Sequence, residues 1–349
     1  MIRWLENPLR ERPPRRPQGS AATEFHRELA GYEPTPLIEA PQLAREWEVG
    51  AVRLKFERRR FGLPAFKFLG ASWAVRRLLG EPPYAAGQTL VTATDGNHGR
   101  AVARVARLHG LAATILVPAG TVRARIEAIE AEGAAVIVVD GSYDDAVRRS
   151  AELAGPTRHL ISDTSWPGYE EVPRWVIEGY ATIFTEIDEQ AGGAALDLVV
   201  VPIGVGALAA AAARHLAGRC ALIGVEPADA ACMLESVRAG EVIELPGPHE
   251  SLMAGLNCGT PSLVAWPDVK AGFDLFCAID DQLAVEGMRR LAALDLEAGE
   301  CSGGSVGAAA ALLRDPEARA ALGAGNESSV CVLLTEAVTN PDAYARLVG

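Results

Sequence analysis

The 349-residue sequence lacks any uncharged apolar run long enough to cross a bilayer, which takes about 20 helical residues. Its first twenty residues contain arginines but no apolar stretch after them, so they lack the pattern of a secretory signal and indicate an extended N-terminal arm. Hydrophobic residues make up 49% and charged residues 22% of the chain, which is typical of globular proteins. We therefore expect neither a membrane protein nor a secreted one.

Cysteines are few and carry no metal-binding pattern. The six of them lie in the C-terminal part, without a Cys-x-x-Cys pair and without histidines at the spacing of a zinc site. This distribution predicts reduced thiols in a cytoplasmic protein and no metal ion. The residues are Cys220, Cys232, Cys258, Cys277, Cys301 and Cys331.

An excess of positive charge is also missing. The formal net charge is -12 and the isoelectric point is near 5.1, whereas a nucleic-acid surface needs clustered lysine and arginine. The basic cluster Arg58–Arg60 is too short to change this, and it is either a solvated turn or a segment that steers anions. Neither nucleic acid nor a membrane is expected as a partner.

What the sequence does contain is an alternation of short β-branched runs with longer amphipathic stretches. The runs 89–93, 113–118 and 134–140 are each followed by a helical pattern that ends near a glycine. Such alternation is typical of βαβ units, and glycine suits the left-handed residue that closes a helix. The pattern predicts a mostly parallel sheet covered by helices.

A second region of the same kind follows a break. A long helical pattern that begins at Trp175 ends in Ala-Gly-Gly, after which strand and helix alternate again. The length of the chain also favours two domains over one. We expect an α/β fold with two open, mostly parallel sheets flanked by helices. Residues 76–192 would form a small domain, residues 1–75 and 193–349 a large one, with the active site in the cleft between them.

A glycine loop follows a buried run in the second region. Gly204-Val205-Gly206 precedes an alanine-rich helix, and the free N–H groups of a glycine-rich helix start form a site for a phosphate. Two alternatives remain at this point. Glu226 lies where the ribose-binding acid of a nicotinamide site is expected, although position 209 is alanine rather than glycine. The loop could also be a tight turn that binds nothing.

Polar residues cluster after the strand predicted at 89–93. Asp95 and Asn97 lie between that strand and a helix, at the sheet edge where ligands of open α/β sheets bind. The alternative is that one of them merely caps the helix. His98 has no carboxylate partner at a telling spacing, and we interpret it as structural.

Lys67 lies in the apolar stretch GLPAFKFLGASWA, between Phe66 and Phe68, at a predicted helix start. Burial and the helix dipole are expected to lower the pKa of its amine, which makes the amine a nucleophile for a Schiff base with an aldehyde. A phosphate loop elsewhere in the chain suits an aldehyde that also carries a phosphate. Pyridoxal 5'-phosphate (PLP) meets both requirements.

In combination, these segments resemble the tryptophan-synthase-β-like, fold type II family of PLP enzymes. The resemblance rests on Ala65-Phe66-Lys67, the segment 94–98 and the glycine loop, which occur in the family's order. Ala65 before Phe-Lys and Asp95 within the asparagine segment are similar to the diaminopropionate ammonia-lyase branch of that family. Departures from the branch are Pro64 for asparagine, Ala207 for serine and Ala337 for glycine.

The resemblance implies a role for each candidate residue. Lys67 would form the Schiff base, Asn97 would bond the cofactor's 3' oxygen, and Thr335 would face the ring nitrogen. Asp95 and Asp163 would hold the substrate's ammonium group or exchange its Cα proton, although Asp163 could instead be a turn residue. The phosphate would lie on the backbone of Gly204, Val205, Gly206, Ala207 and Leu208.

The activity implied is the α,β-elimination of 2,3-diaminopropionate to pyruvate and ammonia by a homodimer. Three alternatives stay open: a serine or threonine dehydratase or β-replacing synthase of the same fold, a nicotinamide-dependent oxidoreductase, and a relative that binds its ligand without catalysis.

Overall fold

A computed structural model describes residues 2–11 and 20–349 of the chain. The extended arm expected at the N-terminus falls partly on residues 12–19, which lie outside the described residues. Its beginning, Ile2–Glu6, is strand β1, which pairs antiparallel with strand β10 (Leu275–Ile279).

The larger sheet has the order β1-β10-β9-β8-β11-β3-β2. Its inner strands are parallel, and the two edge strands β1 and β2 are antiparallel to their neighbours. Besides β1, it contains β2 (Leu37–Glu39), β3 (Ala51–Phe56), β8 (Leu198–Pro202), β9 (Ala221–Pro227), β10 (Leu275–Ile279) and β11 (Ser329–Leu334).

The smaller sheet has the order β6-β5-β4-β7, and all of its pairs are parallel. It consists of β4 (Thr89–Ala93), β5 (Ala112–Pro118), β6 (Ala135–Val139) and β7 (Arg158–Leu160). The runs predicted as strands in this region coincide with β4, β5 and β6 to within a residue at each end. The predicted fold class, two mostly parallel sheets flanked by helices, is confirmed.

Helices connect the strands and cover both sheets. The helix predicted from Trp175 begins four residues earlier, at Glu171. The helices are α1 (Ser20–Glu28), α2 (Pro41–Glu46), α3 (Phe68–Leu79), α4 (Asn97–Leu108), α5 (Arg123–Glu130), α6 (Tyr143–Glu152), α7 (Glu171–Gln190), α8 (Ala207–Leu216), α9 (Cys232–Ala239), α10 (Trp266–Gly272), α11 (Asp281–Ala292), α12 (Glu300–Arg314), α13 (Pro316–Ala321) and α14 (Pro341–Val348).

The larger sheet is buried on both faces. Successive residues of a strand point to opposite faces, so Val199 and Val201 of β8 join one hydrophobic core while Leu198 and Val200 join the other. This explains why β8 reads as a continuous apolar run. The predicted domain boundaries fall within α3 and in the turn after α7, and the division into two domains stays a prediction.

Parallel strands bring their carboxyl ends to one side of a sheet, and ligands of open α/β sheets bind there. Asp95 follows β4, Asp163 follows β7, Gly204 follows β8 and Thr335 follows β11. The topology therefore collects at one place residues that are far apart in sequence. In the part of the chain that is described, no helix has both the length and the apolar character needed to cross a membrane.

Candidate active site

A cleft lies at the carboxyl ends of β4, β7, β8 and β11. Every site residue predicted from the sequence lines it, together with residues that sequence reasoning did not assign to the site. The predicted residues are Lys67, Asp95, Asn97, Asp163, Gly204, Val205, Gly206, Ala207, Leu208 and Thr335, and the additional ones include His98, Arg125, Tyr143, Cys258 and Glu336.

The chain has three lysines, and all of them lie among the described residues. Lys55 is fully buried and bonded to Glu186, and Lys270 lies over the ring of Trp266, 5.8 Å from its centroid. Lys67 precedes α3 and is the one that lines the cleft, with 21% of its side chain exposed. An aldehyde that enters this cleft therefore meets one amine.

The expected lowering of the pKa of Lys67 is wrong. Burial does act in that direction, but the carboxylate of Asp163 accepts a hydrogen bond from Lys67 Nζ at 2.6 Å. Its negative charge, with smaller contributions from Tyr180 and Cys258, outweighs burial and raises the pKa. In the protein without cofactor, Lys67 is thus a protonated amine held by a carboxylate.

Asp163 is buried and holds its negative charge. Burial alone would raise its pKa, but His98 and Lys67 lower it to about 2. His98 Nδ1 lies 3.7 Å from Asp163 Oδ2, and its Nε2–H donates to the carbonyl of Ile161 at 2.8 Å. Within the described residues, Nδ1 has no hydrogen-bond partner. Burial, the largest influence, lowers the pKa of His98 and favours the neutral ring.

Asp95 differs from Asp163 because its carboxylate has no hydrogen-bond partner among the residues described. Burial raises the pKa of Asp95 to about 7, with Arg125 opposing and Asp163 adding to the shift. The alternative that Asp95 or Asn97 caps α4 is wrong. Thr94 Oγ1 accepts the N–H groups of Gly96 and Gly99 instead, at 2.9 and 3.0 Å.

The glycine loop leaves the start of α8 open. Gly206 takes the N-cap position with φ +99°, a conformation that favours glycine, and a Cβ there would lie 2.8 Å from Met233 Cε. No side chain caps this helix in the described ranges. Its first N–H groups therefore remain for an anion in the cleft.

Glu226 lies outside this cleft, although the nicotinamide alternative needs it there. It is fully buried, and its two carboxylate oxygens accept the N–H groups of Met233 and Leu234 at 2.7 and 2.8 Å. It therefore closes the start of α9 and is structural.

Asn97 and Thr335 approach the cleft from two sides. Thr335 lies directly after β11, and Asn97 is the first residue of α4. The side-chain amide of Asn97 donates through Nδ2 to Glu336 Oε2. Sequence reasoning missed Glu336 and His98, because nothing in their spacing indicates contact with Asn97 or Asp163, which lie 239 and 65 positions away.

The residues of the cleft fit PLP. The cleft offers one lysine amine for an aldehyde, an uncapped helix start for a phosphate, and an amide and a hydroxyl for polar ring atoms. Acidic residues, histidines and cysteines form no group able to hold a metal ion in the described portion of the chain. The donor set thus matches a phosphorylated aldehyde rather than a metal.

Comparison with known proteins defines the class. Residues 29–336 match the family model described as "Pyridoxal-phosphate dependent enzyme". The chain belongs to this family, and its cofactor is pyridoxal 5'-phosphate. The nicotinamide alternative is therefore wrong.

Within the family, the chain is similar to the diaminopropionate ammonia-lyases of Escherichia coli (strain K12) and Salmonella typhimurium (strain LT2). It is 34% identical to each, over 95% of this chain and 91% of the relative. Two solved structures of the E. coli enzyme, one in complex with D-serine and one with an aminoacrylate-PLP azomethine reaction intermediate, match it with a TM-score of 0.93. They are 31% and 32% identical, and each match covers 100% of this chain and 97% of the other. The branch inferred from the motifs is confirmed.

Proposed function

We propose that this protein eliminates the β-amino group of 2,3-diaminopropionate. Loss of the Cα hydrogen as a proton and of the β-amino group as ammonia leaves an enamine. Its hydrolysis by one water gives pyruvate and a second ammonia. The observation that carries the proposal is the pair of carboxyl groups, Asp95 and Asp163, beside the single lysine of the cleft. Similarity to the two ammonia-lyases supports the choice of substrate.

Lys67 is the point of attachment for the cofactor. PLP, when bound, supplies an aldehyde carbon that takes an amine and a ring that withdraws electrons from the substrate's Cα–H bond. Lys67 Nζ donates a hydrogen bond to Asp163 Oδ2, so Asp163 stabilises the charged form of the amine. When Lys67 is not attached to the cofactor, its amine would be free to take a proton from one face of Cα.

Asp95 and Asp163 have different roles in proton transfer and ammonium binding because their environments differ. Amine is a poor leaving group unless protonated, and an anionic carboxylate favours the ammonium form next to it. Asp95, with a pKa of about 7, can hold or release a proton near neutral pH. Asp163, with a pKa of about 2, remains an anion. Bases on both faces of Cα allow both enantiomers to react.

The other residues hold the cofactor. The N–H groups of Gly204–Leu208 would bind its phosphate, Asn97 would donate to its 3' oxygen, and Thr335 would present a hydroxyl to its ring nitrogen. A neutral hydroxyl leaves that nitrogen less protonated than a carboxylate would, which moderates electron withdrawal and suits elimination. The cleft that contains these groups lies between a large domain and a small domain, with boundaries near residues 75 and 192.

The assembly we propose is a homodimer in the cytoplasm. The six cysteines are free thiols, as the reducing cytoplasm requires. Light scattering coupled to size exclusion checks the assembly. A mass of about one chain in solution would contradict it.

A substrate panel tests the function. The PLP-loaded protein is assayed for pyruvate release from D- and L-2,3-diaminopropionate, D- and L-serine and L-threonine. We expect the highest kcat/KM with a diaminopropionate enantiomer and measurable turnover of the other. A higher value with serine or threonine would move the protein to the dehydratases. PLP binding without any turnover would indicate a relative that only binds its ligand.

A further inference from the structure

Glu336 is a buried carboxylate at the junction of three segments. It is 3% exposed and follows Thr335 at the end of β11. Its Oε2 accepts from the side-chain amide of Asn97, and its Oε1 accepts from the backbone N–H of Cys301 at 3.3 Å. The carboxylate thus joins the starts of α4 and α12, where a negative charge is favoured by both helix dipoles.

The backbone around Glu336 is held from several sides. Its carbonyl accepts from Ser302 Oγ at 2.8 Å, and its N–H donates to the same oxygen at 3.1 Å. The N–H of Ala337 donates to the carbonyl of Pro64 at 2.8 Å, in the segment that leads to Lys67. Glu336 is therefore a rigid support, fixed relative to the attachment lysine as well as to Asn97.

We propose that Glu336 is a positioning residue that fixes which end of the Asn97 amide faces the cofactor. A carboxylate accepts hydrogen bonds and an amide has one donor end and one acceptor end, so Glu336 selects Nδ2 and turns Oδ1 away. The second N–H of Nδ2 is then the donor left for the 3' oxygen. An amide turned the other way would present oxygen to oxygen.

This inference rests on the role of Asn97 in the proposed function. The variant Glu336→Gln distinguishes a positioning role of Glu336 from a merely structural one. The Cys301 N–H belongs to the backbone and cannot turn, so it keeps the glutamine oxygen as its acceptor. The glutamine NH₂ then faces Asn97, which must present Oδ1 to it. Glutamine preserves volume and burial yet reverses the Asn97 amide.

The experiment measures PLP affinity and the visible spectrum of the bound cofactor against pH, without substrate. We expect Glu336→Gln to weaken PLP binding roughly tenfold, the scale of about one hydrogen bond, and to shift the visible band, with only a small fall in the melting temperature because one charge at two helix starts is lost. In an Asn97→Ala background the same substitution should have no further effect. Wild-type affinity and spectrum in Glu336→Gln, or an equal loss in the Asn97→Ala background, would overturn the proposal.

Glu300→Gln is the matched control. Glu300 is also buried and begins α12, but its Oε2 has no hydrogen-bond partner among the described residues and it does not bond Asn97. The Glu300→Gln variant should match the wild type in PLP affinity and in spectrum.

If Glu336→Gln does not fold, Glu336→Met, of similar volume and without a carboxylate acceptor, leaves the Asn97 amide unfixed and should also weaken PLP binding. Failure of the proposed function would appear separately, as wild-type protein that binds PLP and releases no pyruvate.

Discussion

The protein contains two clusters of charged side chains, one in the cleft and one in the interior. The interior cluster consists of Lys55, Glu57, Arg60 and Glu186, all nearly inaccessible. Arg60 bonds both carboxylates, and Lys55 Nζ donates to Glu186 Oε2 and to the carbonyl of Thr35, each at 2.7 Å. The cleft cluster consists of Lys67, Asp95, His98 and Asp163, which all line the cleft. Unlike the interior cluster, it contains polar atoms without a hydrogen-bond partner among the described residues.

The difference between the two clusters is whether each polar atom has a partner. In the interior cluster, burial alone would raise the pKa of Glu186, but Arg60 and Lys55 lower it to about 2. In the cleft cluster, the carboxylate of Asp95 and Nδ1 of His98 have no hydrogen-bond partner within the described residues. Buried charged groups alone therefore do not indicate a reaction site. Titratable groups that line an open cleft and lack hydrogen-bond partners do indicate one.

The largest effect is expected from Lys67→Ala. Turnover should fall by roughly 10³-fold or more, because covalent attachment and proton transfer by the same amine are both lost. The visible absorbance band of the holoprotein should disappear. If the variant kept the visible band and still released pyruvate, the assignment of the cleft cluster as the reaction site would be wrong.

The next largest effect is expected from Glu186→Ala, and it falls on stability. Removal of this carboxylate leaves Lys55 buried without the anion that it bonds and leaves Arg60 paired with Glu57 alone, which costs about 3–5 kcal/mol of unfolding free energy. Urea denaturation measures it. Because the folded pKa of Glu186 lies below its ordinary value of 4.5, its contribution is complete above pH 4.5 and is lost as the pH falls towards 2.

Glu189→Ala is the control for that variant. Glu189 lies on the same helix, but its ion pair with Arg27 is exposed. Its removal should change the free energy of unfolding by no more than about 1 kcal/mol. If the two variants lost similar amounts of unfolding free energy, the interior cluster would stabilise the fold no more than an exposed ion pair does.

A smaller and more selective effect is expected from Asp95→Asn. The variant should keep the visible band and lose roughly 10²-fold in kcat/KM with one enantiomer of 2,3-diaminopropionate and less with the other. In the wild type, kcat/KM should rise through pH 7 as Asp95 ionises, and this limb should vanish in the variant. Equal losses with both enantiomers would remove the division of roles between Asp95 and Asp163.

Much of this arrangement could be predicted from the sequence, because it depends on local pattern. Strands β4 and β8, the helix starts that follow them and the position of Lys67 before a helix are all visible as short-range periodicity and glycine placement. The topology rule for parallel strands then brings their ends together.

Long-range contacts could not be predicted in the same way. Lys67 and Asp163 are 96 residues apart, and their contact reverses the expected direction of the Lys67 pKa shift. The ring of His98 reaches Asp163 only because β7 lies beside β4. The bond from Asn97 to Glu336 depends on how the two sheets face each other, which no spacing in the sequence records.

The most direct test of the cleft cluster is to find where the cofactor is attached. Holoprotein is reduced with borohydride, digested, and analysed by mass spectrometry for a phosphopyridoxyl group on each of the three lysines. We predict the group on Lys67 and none on Lys55 or Lys270. A group on either of the other lysines, or no lysine carrying one, would contradict the assignment of the cleft as the reaction site.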